Sequence, residues 1–395
     1  MNNGREVVVL SGVRTAIGDY GGALKDVAPT DLAAQVVREA VKRAKIEPQE
    51  VGHLVFGNVI HTEPKDMYLS RVACIAGGLP QETPALTLNR LCGSGLQAIV
   101  SAAQTILLGE ADVTLGGGAE SMSRGGYLMP NLRWGQRMNN GSTVDMMVGA
   151  LTDPFDTVHM GITAENVADK WHVTREQQDE LAAESHRRAV NAINNGYFKD
   201  QILPIELKTR KGSTRFDTDE HPRADATLES MAKLRTVFKK DGSITAGNAS
   251  GINDAAAAVV LMEKGAAEKR GLKPMARLLS YAHAGVDPKY MGIGPVPASN
   301  KALERAGLKM ADMDVIEANE AFAAQALAVA CDLKFDMDKT NPNGGAIGLG
   351  HPIGATGCIL TVKALYELQR TGKRYALVTM CIGGGQGIAA VFERT

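Results

Sequence analysis

One unit occurs twice in this 395-residue chain, and that repetition constrains the fold more than any other feature. In the first copy, a turn holding Cys92 opens into the apolar-periodic helix of NRLCGSGLQAIVSAAQTILLG (89–109), followed by a glycine-interrupted strand, VTLGGGAES (113–121). In the second, a Gly-rich turn holding His351 precedes the helix of IGATGCILTVKALYELQR (353–370), followed by LVTMCIGGGQG (377–387). The shared order of parts reads as an internal duplication, with two halves packed around one site.

The remaining pattern fits an α/β layer structure, in which strands and helices alternate. VVVLSGVRT (7–15), HLVFGNVI (53–60) and ALTLN (85–89) read as strands. PTDLAAQVVREAVKRA (29–44), with Asp31 as its starting residue, and SRVACIAGGL (70–79) read as helices. MARLLSYAHAG (275–285) and DVIEANEAF (314–322) carry strands of the second half, which ends in a hairpin at RYALVTMCIGGGQGIAAVFER (374–394). Residues 120–246 differ. They hold one clear helix, REQQDELAAESHRRAVNAINNG (175–196), and charged loops such as RKGSTRFDTDEHPR (210–223), as expected of an insertion that covers a ligand. ITAGNASGINDAAAAVVLMEK (244–264) returns to small apolar residues and to the first half. The expected division is 1–119 plus 247–272, then 120–246, then 273–395, within the range of about 100–200 residues per domain.

Composition narrows the function. Lys+Arg 43 against Asp+Glu 44 leaves no global basic charge for nucleic acid. Five scattered cysteines form no CxxC pair and no Cys/His cluster at zinc-ligand spacing, so neither a disulfide framework nor a metal is expected, and a reducing cytoplasm fits. No secretory leader is recognised in MNNGREVVVLSGVRT, and no apolar stretch of about 18 residues is expected to span a membrane.

Cys92 precedes a helix whose positions Leu96, Ile99, Val100, Ala103, Ile106 and Leu107 follow helical spacing. Free N–H groups at a helix start favour negative charge by about 0.3–1 kcal/mol. That predicts a lowered thiol pKa and a nucleophilic thiolate. His351 in GGAIGLGHPIGATG (344–357), Cys381 in CIGGGQG (381–387) and Asn319 in EANEAFAAQ (317–325) are the other candidates. Taken singly, each has a structural reading: a core histidine, a buried thiol, a helix cap. Cys plus His suffices for a thiolate hydrolase. A second thiol adds a proton carrier, which carbon–carbon bond chemistry beside a thioester requires.

The chain resembles the thiolase family along essentially its whole length. The matching motifs are NRLCGSGLQA (89–98), GGGAESMS (116–123), HMGITAENVA (159–168), TAGNASGINDAAAA (245–258), NEAFAAQ (319–325), GGAIGLGHPIGATG (344–357) and CIGGGQG (381–387). Within the family it looks most like bacterial biosynthetic acetyl-CoA acetyltransferases and β-ketothiolases, including those feeding polyhydroxyalkanoate synthesis. The resemblance implies a duplicated α-β-α-β-α five-layer fold with an inserted loop domain, and a homotetramer built from tight dimers. It implies reversible condensation of two acyl-CoA to 3-ketoacyl-CoA plus CoA, by ping-pong chemistry through an acylated Cys92. In that scheme His351 activates the thiol and Cys381 exchanges a proton with the α-carbon or the leaving CoA. Asn319 holds a water beside His351, and the N–H groups of Cys92 and Gly383 form an oxyanion hole.

Coenzyme A is implied as substrate, with no tightly bound cofactor and no metal. Ser250, His159 and Met160 match pantetheine contacts, and Arg223 and Ser230 match contacts at the nucleotide end. Leu151, Phe238, Ala246, Met291, Ala321 and Phe322 match apolar walls. One departure is IGLGHP where the family reads IALGHP, with Gly348 expected to have only a small effect. Short-chain substrates, acetoacetyl-CoA and 3-ketovaleryl-CoA, are expected. A longer-chain degradative thiolase and a non-catalytic lipid-binding relative are the alternatives. A redox switch between Cys92 and Cys381 is a further possibility.

Overall fold

The computed structural model describes residues 4–209 and 212–395; Met1–Asn3, Arg210 and Lys211, which the readings of the N-terminus and of the 210–223 loop include, lie outside the described residues. The first half comprises β1 (Val7–Thr15), α1 (Pro29–Ala44), β2 (His53–Gly57), α2 (Leu69–Ala76), β3 (Ala85–Leu88), α3 (Ser94–Leu108) and β4 (Val113–Ser121). A covering segment with α4 (Met160–Trp171) and α5 (Arg175–Asn194) follows, and the chain returns through β5 (Asn253–Glu263). The second half comprises β6 (Ala276–Gly285), α6 (Pro295–Ala306), β7 (Val315–Ala318), α7 (Ala323–Leu333), α8 (Thr356–Thr371), β8 (Tyr375–Ile382) and β9 (Gln386–Arg394).

Strand order makes the duplication explicit. The first sheet runs β3-β2-β4-β5-β1 and the second β7-β8-β9-β6; they join edge to edge where Val7–Val9 pair with Leu278–Ala276. β2–β4 and β7–β8 are parallel, whereas β4–β5, β5–β1, β8–β9 and β9–β6 are antiparallel. The tight turn between β8 and β9 therefore occupies the place where the first half inserts its covering segment. α3 and α8 touch each other and both sheets, so they form the central layer; α1 and α6 cover the outer faces.

Several local expectations change. α1 starts at Pro29 after Ala28, with Asp31 inside the first turn rather than capping it, because proline supplies the fixed φ of a helix start. α7 starts at Ala323, so Asn319 is not its cap. Part of the expected loop 210–223 is a strand, Gly212–Phe216, paired with Ile205–Thr209. The 18 residues Leu91–Leu108 have a mean hydropathy of 1.5, enough by length and composition to cross a membrane, contrary to the expectation that no such stretch exists. In the fold, this is the core helix α3: Leu96, Ile99, Val100, Ala103 and Ile106 are fully buried between the sheets, and Leu107 is half-buried.

Two buried ion pairs tie layers together. Arg14 of β1 meets Asp219 of the covering segment through two contacts, 2.7 and 3.0 Å. Lys363 of α8 meets Glu317 of β7 at 2.7 Å and donates to the Gly344 carbonyl at 2.6 Å, linking the helix behind His351 to the strand leading to Asn319. Removing one partner of such a pair leaves an uncompensated buried charge. Lys363→Ala is therefore expected to lose about 3–5 kcal/mol in urea unfolding, with the double variant Lys363→Met/Glu317→Leu recovering most of it.

Candidate active site

A tight polar turn holds Cys92 at the start of α3. The Asn89 side chain accepts the Leu91 N–H at 2.8 Å, and the Ser94 hydroxyl accepts the Arg90 N–H at 2.8 Å while donating to the Leu91 carbonyl at 2.7 Å. Together these bonds hold Leu91 at φ +46°, a left-handed conformation that costs a leucine about 1–2 kcal/mol. The α3 and α8 backbones meet where both lack side chains. A Cβ on Gly357 would lie 2.3 Å from the Leu96 nitrogen, and one on Gly95 would lie 2.7 Å from the Cys358 nitrogen. This contact lets the Cys92 and His351 turns open onto one cavity.

His351 is buried, and its ring is fixed on both sides. The Thr356 hydroxyl donates to the Pro352 carbonyl at 2.9 Å, so its lone pair receives the His351 Nδ1–H at 2.7 Å. Nε2 is thereby left as an acceptor, and the Asn319 side-chain amide donates to it at 3.4 Å. The Asn253 carbonyl oxygen accepts the His351 backbone N–H at 2.9 Å. Asn319 follows β7 directly, and its Oδ1 is buried with no hydrogen-bond partner.

Cys381 lies on β8, in the three-residue approach to a turn where Gly384 and Gly385 take φ +80° and +82°. The Gly383 N–H and the Cys92 N–H both face the Cys92 sulfur. Cys92, His351, Cys381 and Gly383 line one cavity of about 580 Å³ between the two halves and the covering segment. Leu151, His159, Met160, Phe238 and Ala246 reach it from the covering segment, and Ser250, Met291, Ala321 and Phe322 from the core, with Arg223 on its rim. His159 stacks on Phe238, ring centroids 4.5 Å apart. Ser250 is held by its N–H on the Ala321 carbonyl at 3.0 Å.

Ser230 is not brought to this cavity. It is exposed, and its hydroxyl donates to the Thr227 carbonyl at 2.8 Å and accepts the Thr227 N–H at 2.9 Å within a capping box. Gly348 packs closely on α5: a Cβ there would lie 2.6 Å from the Ser185 carbonyl oxygen, so the alanine of the family pattern would need the two backbones to move apart. Asp19, Tyr20 and His221 line the cavity without having been singled out. His221 pairs with Asp19 at 2.6 Å, a contact between residues 202 apart that no local pattern announces. Among the described residues, no group of three or more His, Cys, Asp or Glu side chains is placed to hold a metal ion.

The electrostatics reverse the expectation for Cys92. Burial pushes its thiol up to about 11, and the like charge of Glu120 adds to this, against the lowering pull of the Gly383 and Cys92 N–H groups. Burial likewise raises Cys381, with Cys92 adding to it, and lowers His351 to about 4. The helix-start effect, about 0.3–1 kcal/mol, is smaller than the cost of burying a thiolate. At neutral pH the site thus holds two thiols and a neutral imidazole whose Nε2 accepts from Asn319.

Two family models match the chain: "Thiolase, N-terminal domain" over residues 7–265 and "Thiolase, C-terminal domain" over residues 272–394. The chain belongs to the thiolase family. It is 69% identical over 391 residues to the β-ketothiolase BktB of Cupriavidus necator, covering 99% of both chains. It is 52% identical over 394 residues to an acetyl-CoA acetyltransferase of Syntrophomonas wolfei, covering 98% of this chain and 99% of the other. The crystal structure of the Bacillus anthracis acetyl-CoA acetyltransferase superposes with a TM-score of 0.97 at 47% identity, over 99% of each chain. Human mitochondrial 3-ketoacyl-CoA thiolase in complex with CoA superposes with a TM-score of 0.96 at 46% identity, over 99% of this chain and 98% of that one. The fold is the thiolase fold.

Two outcomes follow. Iodoacetamide alkylation of Cys92 in the unliganded protein is expected to keep rising beyond the ordinary thiol range, toward about 11, when followed by peptide mass spectrometry. A midpoint at or below about 8.5 would contradict a thiol raised above its ordinary value. Gly348→Ala is expected to lower stability by about 1–3 kcal/mol through overpacking against α5, measured by urea unfolding.

Proposed function

We propose that this thiolase is a short-chain β-ketothiolase and acetyl-CoA acetyltransferase, with CoA thioesters as its substrates. The observation that carries this reading is the convergence of two thiols, a neutral imidazole and two N–H donors on one largely apolar cavity. A hydrolase needs one nucleophile; the second thiol supplies the α-carbon proton transfer that condensation needs.

His351 Nε2 takes the Cys92 proton as sulfur attacks the thioester carbonyl, because a thiol raised to about 11 is not ionised beforehand. Negative charge forming on the carbonyl oxygen falls to the Cys92 and Gly383 N–H groups. Cys92 is left acylated, and the proton taken up stays on His351. For the second acyl-CoA, Cys381 works as a thiolate after giving its own proton to the departing CoA. It removes an α-proton while His351 and Asn319 meet the thioester oxygen. The resulting carbanion attacks the acyl carbon on Cys92, releasing 3-ketoacyl-CoA and a Cys92 thiolate that takes its proton back from His351. Thiolysis runs the same steps backward.

The reading extends to assembly and place. A homotetramer of tight dimers is supported by large apolar side chains exposed between residues 127 and 148, among them Tyr127, Leu128, Leu132, Trp134 and Met138. A second support is the open edge of β3. Residues 120–246 act as the domain that covers CoA, with Arg223 toward its nucleotide end. A reducing cytoplasm suits a mechanism that needs two free thiols, and a supply step for polyhydroxyalkanoate synthesis suits the short-chain product.

The test is CoA-dependent loss of acetoacetyl-CoA and 3-ketovaleryl-CoA, measured side by side. Thiolysis of both is the expected result. Activity on the C4 substrate alone would restrict the enzyme to acetoacetyl-CoA, and activity on neither would overturn the reading.

A further inference from the structure

The GGGAES strand carries a group that the mechanism above does not use. Glu120, next to last in β4, is fully buried, and its charge is met by four N–H donors. One oxygen accepts the Ile60 N–H and the Asn58 side-chain N–H, both at 3.1 Å. The other accepts the Val59 N–H at 3.0 Å and the Gly354 N–H at 2.9 Å. Asn58, Val59 and Ile60 follow β2 in the first half; Gly354 is three residues past His351 in the second. One carboxylate thus spans the seam between the duplicated halves. The backbones are in contact there as well, since a Cβ on Gly118 would lie 2.1 Å from the Gly354 oxygen. Val59, Ile60 and Ile353 pack in the same apolar cluster as Cys92.

We propose that Glu120 is a positioning residue for the thiolase reaction, its carboxylate setting the wall beside Cys92 and the turn behind His351 in one register. Only an ionised carboxylate accepts at all four places; a protonated acid or an amide brings its own hydrogen against an N–H donor. The same charge lies close enough to Cys92 to oppose its ionisation. Burial, with Asp66 as a like-charged neighbour, raises Glu120 to about 8 against the lowering pull of the Ile60, Val59 and Gly354 N–H groups, so the ionised four-donor state builds up as pH rises through about 8 and is complete over the range in which the Cys92 thiol loses its proton. Cys381 is the other titratable group that acts on that sulfur, and His351, Asp19, Tyr20, His159, His221 and Arg223 line the same cavity.

The proposal rests on the thiolase reading, and its test uses two variants and two readouts. Glu120→Gln keeps the shape, loses the charge and turns one acceptor into a donor. Its kcat is expected to fall about tenfold or more with KM little changed, since small misplacements of reacting groups are costly. The midpoint of Cys92 alkylation against pH is expected to move down by about half a unit or more, because a like charge is gone. Glu120→Asp keeps the charge but has shorter reach: kcat is expected to fall while the alkylation midpoint stays. Wild-type kcat in Glu120→Gln would overturn the proposal, and so would a loss of kcat with an unmoved alkylation midpoint, which would mark a merely structural residue. If Glu120→Gln is insoluble, Glu120→Asp decides by kcat: a fall at unchanged KM upholds the proposal and wild-type turnover overturns it. Absence of thiolysis by the wild-type protein would instead strike the functional reading, and the alkylation profiles would still test Glu120.

Discussion

Backbone contact between the N-terminal ends of α3 and α8 is the constraint on which the rest of the structure depends. Neither helix alone brings a nucleophile and a base together. Each carries one reactive residue just before its first turn, and the two turns share a cavity because Gly95 and Gly357 let the helices touch without intervening side chains. The two sheets enclose this pair, and the ion pair of Lys363 with Glu317 fixes α8 relative to the strand that delivers Asn319. Duplication thus gives the site its parts. The second half adds its own thiol from the β8 strand, and its tight glycine turn occupies the place where the first half inserts a covering segment.

Burial then sets the chemistry. In water a cysteine and a histidine of ordinary pKa would form some thiolate and imidazolium at neutral pH. Here burial raises the thiols and lowers the imidazole, so each group waits uncharged. Charge is created only when a thioester arrives and its oxygen meets oriented N–H groups. Such preorganised donors in a water-poor cavity stabilise developing charge at no cost in reorganisation. The Thr356 hydroxyl serves the same end by holding the proton of His351 on Nδ1, which leaves Nε2 as the base.

Much of this was legible in the chain. β1 and α1 run over the residues that periodicity assigns, and the small apolar stretch near 253–263 returns to the first sheet, because alternation and helical spacing are local properties. Cys92, His351, Cys381 and Gly383 sit in one cavity, as their glycine-rich turns suggested. The misses were of another kind. The pKa of Cys92 went the opposite way because a helix start is visible in sequence whereas the depth of burial is not. Ser230 lies outside that cavity, where its hydroxyl answers Thr227 in the capping box of a short helix, a placement that no local motif announces. Gly348 packs closely on the neighbouring α5, and the pairing of Asp19 with His221 joins distant segments. Each depends on which distant parts of the chain come together.

The division of labour between the two thiols is the central claim, and it is tested most directly in Cys381→Ala. The variant is mixed with acetyl-CoA, acyl transfer to Cys92 is followed by peptide mass spectrometry, and acetoacetyl-CoA is assayed in the same sample. The account predicts stable acetylation of Cys92 with no condensation product. Acetoacetyl-CoA formed at the wild-type rate would contradict it, because the α-proton would then be leaving by way of some group other than Cys381.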